Sequence, residues 1–160
     1  MAGLETSELA GDLLVLSAPP PIDDYRYATA IVDLEGRYLL VNQSFAGLHG
    51  VTPDELRGRC ESELIARSVA TALAENDRLA LNLPAAVLTE ERVVDSVGRR
   101  RVVMCRCALN GPDGTPQAVC RMYGSASARD RIAAEFRQLL DAVDPTGARR
   151  RDFEADRLGG

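Results

Sequence analysis

The sequence contains no lysine, no tryptophan and a single histidine, and only 4% of its residues are aromatic. All 19 of its cationic residues are therefore arginine. Without lysine, neither Schiff-base chemistry nor a P-loop phosphate lysine is available. With His49 alone, no nucleophile–histidine–acid set is expected. No apolar run approaches the ~18 residues of a membrane-spanning helix. The N-terminus lacks the basic start and apolar stretch of a signal peptide, so a cytoplasmic location is expected. In that reducing compartment Cys60, Cys105, Cys107 and Cys120 are expected to be free thiols. A basic excess is missing too. The 24 acidic residues outnumber the arginines and the net charge is -5, which argues against direct nucleic-acid contact.

What remains is an ordinary globular composition, 46% hydrophobic and 27% charged, over 160 residues. That length suits one domain with flanking arms. Residues 1–27 read as an arm, with Ser7 capping a short helix before the stiff run Ala18-Pro19-Pro20-Pro21. Residues 28–42 read as a hairpin turning at Asp33-Leu34-Glu35-Gly36, and Asn42 can then cap a helix through Phe45. Thr52-Pro53-Asp54-Glu55 is a capping box with a first-turn proline, ended by Gly58. Apolar spacing through Leu64, Ile65, Val69, Ala72, Leu73 and Leu79 predicts a helix over 62–82. After Pro84 the period becomes that of strands. Val87–Val94, Arg99–Leu109 and Gln117–Tyr123 are separated by turns at Gly98 and Gly114. The order β-β, short helices, β-β-β predicts an α+β fold: a five-stranded antiparallel sheet with the short helices on one face and helices flanking it at both ends.

The stretch IVDLEGRYLLVNQSF followed by GVTPDELRGR closely resembles the PAS family. Asp33, Gly36, Asn42, Gly50, Pro53, Glu55, Leu56 and Gly58 stand at its pattern positions. EERVVDSVGRRRVV and the last strand are similar as well. The resemblance covers residues 28–126, leaving 127–143 as a C-terminal signalling helix and 144–160 as a charged tail or linker. It implies a non-catalytic sensor that holds a small ligand between sheet and helices, or dimerises, and passes a change through terminal helices to a fused or partner output domain. Cofactor-bearing relatives offer little match. Haem binding requires a proximal histidine, usually on the long helix, and His49 lies before Gly50. The flavin-type cysteine motif is replaced by Gly58-Arg59-Cys60-Glu61, and Met122 stands where a flavin-contacting glutamine is expected. No resident haem or covalent flavin is therefore expected.

Strand alternation puts Cys105 and Cys107 on one face of their strand and Cys120 and Met122 on one face of the next. With Ala30, Val32, Val41, Val69 and Leu73 they form the expected wall of a pocket for a small, apolar organic ligand. Cysteine and methionine serve there as adaptable core fillers, with a redox or soft-metal sensor as the sharper alternative. Arg99, Arg100, Arg101, Arg106 and Arg121 are expected on the opposite, solvated face. Ile132, Phe136, Leu139 and Val143 form a heptad-like stripe, expected to be a two-helix seam in a homodimer. Two other functions compete with the ligand sensor: a cofactor-free dimerisation and protein-interaction module, and a small enzyme using Asp33 as general base.

Overall fold

The computed structural model describes residues 22–83, 85–111 and 113–143. The expected N-terminal arm helix and the charged tail lie outside the described residues. Five strands form one antiparallel sheet: β1 (Ala28–Asp33), β2 (Tyr38–Val41), β3 (Val87–Asp95), β4 (Gly98–Asn110) and β5 (Pro116–Ser125), in the spatial order β2-β1-β5-β4-β3. The N-terminal hairpin thus joins the three C-terminal strands through β1 and β5, with Ala30 opposite Arg121 and Ile31 opposite Cys120. Gly36 takes φ 81° at the hairpin turn, a conformation that glycine adopts without strain. Asp33 Oδ1 completes the turn by accepting from the Glu35 and Arg37 amides, each at 2.9 Å.

Four short-to-medium helices cross one face: α1 (Gln43–Leu48), α2 (Pro53–Leu56), α3 (Glu61–Leu64) and α4 (Arg67–Leu81). Asn42 caps α1 by accepting from the Phe45 amide at 2.9 Å. The same Oδ1 accepts from the Thr29 amide, and Nδ2 donates to the carbonyls of Ile22 and Tyr27. Asn42 is fully buried, so this one amide ties β1, the helix start and the N-terminal segment together. Thr52 and Glu55 form the predicted capping box at α2. The single helix expected over 62–82 is instead two. Ile65 is extended (φ -127°, ψ 164°) and separates α3 from α4, which leaves Ala72 exposed and Leu79 half exposed.

The last helix, α5 (Arg129–Val143), lies on the opposite face of the sheet. Ile132, Phe136 and Leu139 are completely buried and Val143 nearly so, packed with Ile31, Leu39, Leu88 and Val103 of the sheet. The expected dimer seam is therefore covered by the protein's own sheet. The stripe is wider than a coiled-coil seam because Ala133 and Leu140 are buried beside it. Apolar residues at i, i+1, i+4, i+7 and i+8 make the broad face of a helix docked on a core. With both faces covered, β4 is buried without interruption from Val102 to Leu109.

Candidate functional site

β4 and β5 present alternate side chains to the two layers. Towards α1–α4 they turn Val102, Met104, Arg106, Val119, Arg121 and Tyr123. Towards α5 they turn Val103, Cys105, Cys107, Cys120 and Met122. The nine expected pocket residues are therefore split. Ala30, Val69 and Leu73 line a small cavity between sheet and helices, and Val32 and Val41 belong to the same packed cluster without reaching it. Cys105, Cys107, Cys120 and Met122 are on the other face, beneath α5, and do not share a wall with Ala30. Arg106 and Arg121 lie opposite the cysteines as expected, whereas Arg99 and Arg101 share the parity of Cys105 and are exposed at the start of β4. The face opposite the cysteines is not solvated, however, but roofed by α4.

That roof brings Arg106 and Arg121 into a buried ionic cluster. Arg121 Nη1 donates to Glu61 Oε2 at 2.6 Å and Nη2 to Glu61 Oε1 at 2.8 Å, while Nε donates to Asp77 Oδ1 at 3.0 Å. Arg106 Nε donates to Asp77 Oδ1 at 2.7 Å, and its terminal nitrogens hold Glu91. The Tyr38 hydroxyl donates to Glu61 Oε2 at 2.8 Å. Three carboxylates thus share two guanidiniums at no more than 12% side-chain exposure, with every group hydrogen-bonded, the arrangement that buried charge requires. Burial by itself pushes the Asp77 carboxyl up. The guanidiniums of Arg121 and Arg106 outweigh it and hold the group below its ordinary 3.8. Glu91 behaves alike, with burial opposed by Arg106, Thr89 and Asn76 and a net shift below 4.5.

The cavity has a volume of about 20 Å³ and is ringed by Tyr38, Phe45, His49 and Tyr123. Phe45 stands 5.4 Å from the Tyr38 ring, 4.8 Å from the His49 ring and 6.3 Å, edge-on, from the Tyr123 ring. Glu61 and Arg121 line it as well. Tyr123 donates to Asp95 Oδ2 at 3.2 Å, and Asp95 is paired with Arg100 at 2.9 Å. Burial, opposed by the charges of Asp95 and Glu61, lowers the His49 pKa below 6.5. Outside the cavity a surface groove of about 260 Å³ runs between the β1–β2 turn and α4, and Glu61 and Arg121 line this as well. Asp33, the alternative general base, lies on the groove with its Oδ1 committed to the turn. Among the described residues no three His, Cys, Asp or Glu side chains gather as a metal-ligand set.

The family model described as PAS fold matches residues 23–131, more than half of the chain. The chain belongs to the PAS-fold family. No curated protein matches the sequence. Among solved structures, VqmA bound to DPO is similar at a TM-score of 0.59 with 15% identity, over 71% of this chain and 57% of that one. The PAS domain of Bordetella pertussis BvgS gives 0.56 at 18% identity, covering 75% and 91%. A sensory box sensor histidine kinase from Vibrio cholerae gives 0.53 at 18% identity, covering 76% and 92%. This PAS domain spans little more than half the length of the VqmA structure. At these identities the likeness is one of fold.

The residues that build the site, Tyr38, Phe45, His49, Glu61, Asp77, Glu91, Arg106, Arg121 and Tyr123, carried little signal as a set. One clue was present. Arg106 and Arg121 each interrupt a run of otherwise apolar strand residues, a position where an arginine is either exposed or paired in the interior.

Proposed function

We propose that this PAS domain is a cytoplasmic, non-catalytic sensor that takes a small organic molecule into the cavity between Ala30, Val69 and Leu73 and transmits its presence through α5. The observation that carries this reading is the alternation of β4 and β5. Met104 and Tyr123 are register partners that line the cavity, and the next rung, Cys105 and Met122, faces α5. A ligand that displaces Met104 or Tyr123 shifts a strand whose neighbouring side chains form the bed of the helix. Packed interiors transmit such shifts because they have few voids to absorb them. The likeness in fold to VqmA, which was solved bound to DPO, supports a ligand-binding role for a domain of this fold.

A cofactor-free interaction module is the second reading, favoured by the cavity volume of about 20 Å³, room for about one water. In that role the domain would pair with a second copy or an output domain, through a surface other than the Ile132–Val143 stripe. Native mass spectrometry of protein purified from its own host separates the two. A stoichiometric small-molecule adduct, with Cys105 labelling faster in its presence, supports the sensor. Apo protein that takes up nothing from a host metabolite extract, yet forms a stable complex with a protein partner, supports the module.

A further inference from the structure

The sensor reading leaves the chemistry of the ligand open, and the walls of the cavity narrow it. The chain has 4 Tyr and 3 Phe in all, yet Tyr38, Phe45 and Tyr123 converge on this one space together with the sole histidine. Their contacts at 4.8–6.3 Å leave an aromatic surround with Ala28 and Ala30 as its small-residue floor. Such a surround attracts either a cation over the ring faces or another ring, offset or edge-on.

Charge decides between these. The Tyr123 ring already has the Arg100 guanidinium 5.8 Å from its centroid, which repels a second cation. Arg121 is a second guanidinium on the cavity lining. An anion fares no better, because Arg121 and Arg100 are each already satisfied by carboxylates. The charges are thus matched in ion pairs, Glu61 with Arg121 and Asp95 with Arg100. The two tyrosine hydroxyls donate to Glu61 and Asp95, so each offers the cavity only an oxygen lone pair. The His49 ring stacks on Phe45 and forms no hydrogen bond among the described residues. Among the described polar side chains that line the cavity, its ring keeps both nitrogens available, while the tyrosines keep only an acceptor oxygen.

We infer that the cavity selects a neutral, planar aromatic or heteroaromatic molecule bearing an N–H or O–H donor, seated among Tyr38, Phe45 and Tyr123 and hydrogen-bonded at His49 or a tyrosine oxygen. This rests on the sensor reading above. A single ring requires a cavity on the order of 150 Å³, so the wall must open. The sheet side is held by strand pairing on both sides of β1, β4 and β5. The helix side is held less firmly where α4 begins, since its cap residue is Ala66 and no side chain caps it. Ile65 and Val69 flank that start, line the cavity and are only partly buried.

The test compares phenol with cyclohexanol, which share a hydroxyl and a ring size but not aromaticity, and adds benzoate and tetramethylammonium. Binding is read from the methyl NMR signals of Ala30, Val69 and Leu73 in the full chain. Indole is a further probe, since a protein without tryptophan leaves its fluorescence unmasked. Phenol and indole are expected to move these methyls with affinities about tenfold above cyclohexanol. Phe45→Leu should erase that preference while cyclohexanol still binds, and the phenol-to-cyclohexanol ratio of the unaltered protein stands even if the variant misfolds. Equal binding of phenol and cyclohexanol overturns the aromatic class and leaves the sensor reading intact. Preferential binding of tetramethylammonium or benzoate overturns the neutrality argument. If no probe moves the methyls at millimolar concentration, both the ligand class and the cavity's role fall.

Discussion

Arg121 grips Glu61 through both terminal nitrogens, at 2.6 and 2.8 Å, and this pair is a common wall of the surface groove and the inner cavity. Glu61 opens the four-residue helix α3, and Arg121 sits at the centre of the sheet, so the contact ties α3 to the middle strand. It also couples outward to Asp77 on α4 and through Arg106 to Glu91 on β3.

Removing one partner of a buried pair leaves the other charge uncompensated, which costs about 3–5 kcal/mol. Arg121→Met should therefore lower the unfolding free energy by that amount, seen as a lower urea midpoint at an unchanged m-value. The double variant Arg121→Met with Glu61→Leu should recover part of the loss, because one of the stranded charges is gone. A loss below about 1 kcal/mol for Arg121→Met would mean that water reaches the cluster and the pair is not buried in solution.

Acid should find the same cluster. Asp77 and Glu91 are held below their ordinary 3.8 and 4.5 by the arginines, against the upward push of burial. A carboxyl depressed in the folded state stabilises the protein fully above its unfolded value and loses that contribution as pH falls through its folded value. Stability should be flat in this respect from pH 7 to about 5 and fall below about pH 4.5. Asp77→Asn should be less stable at neutral pH but flatter in acid. An equally steep acid slope in that variant would assign the transition to other carboxyls.

Much of this architecture is written in local chemistry. The Asp33–Gly36 turn, the Asn42 cap and the Thr52–Glu55 box each act within a few residues, so their signals are self-contained. The parity of Cys105 against Arg106 was equally legible, because alternation is a property of one strand. Which parity meets which helix is not. That depends on where α4 and α5 dock, and in β4 the cover on both faces removes the apolar–polar contrast from Val102 to Leu109. Arg106 and Arg121 therefore pack in the interior rather than in solvent, and the cysteines lie beneath α5 rather than at the cavity, while Arg99 and Arg101 are exposed as expected. The stripe on α5 misled for a related reason. Ala133 and Leu140 widen it, and width is what separates docking on a core from a two-helix seam.

Phe136 gives that distinction an experimental form. Its side chain is fully buried between α5 and the sheet of the same chain. Phe136→Ala should cost about 3–5 kcal/mol of folding stability. Phe136→Glu should unfold the domain or detach α5, seen as lost amide protection over Arg129–Val143. If Phe136→Glu instead yields a folded monomer from a wild-type dimer by sedimentation, the helix pairs with a second subunit and its docking here is not the solution state.

The thiols supply the last prediction, because they lie where α5 protects them. Cys105 is buried beneath the helix, and burial pushes its pKa up to about 12, against the weaker downward pull of Arg137, Arg129 and Arg106. Cys120 is likewise raised well above the ordinary thiol value, by burial and by its neighbours Cys107 and Cys105. The thiolate is the reactive form, so at pH 8 these groups hold almost none of it and are shielded as well. Cys60 is partly exposed at the start of α3. One fast thiol and three slow ones are therefore expected with a disulfide reagent, and all four should react in denaturant. Cys105→Ser places a hydroxyl among apolar groups and should cost about 1–3 kcal/mol where it finds no partner. Cys105→Ala removes a sulfur without adding a polar atom and should cost less. Where Phe136→Glu detaches α5 and leaves the sheet folded, the slow thiols should become fast. Should Cys105 react as quickly as Cys60 in the intact domain, or Ser prove as stable there as Ala, the face beneath α5 is open to water and the helix is not the lid that its burial implies.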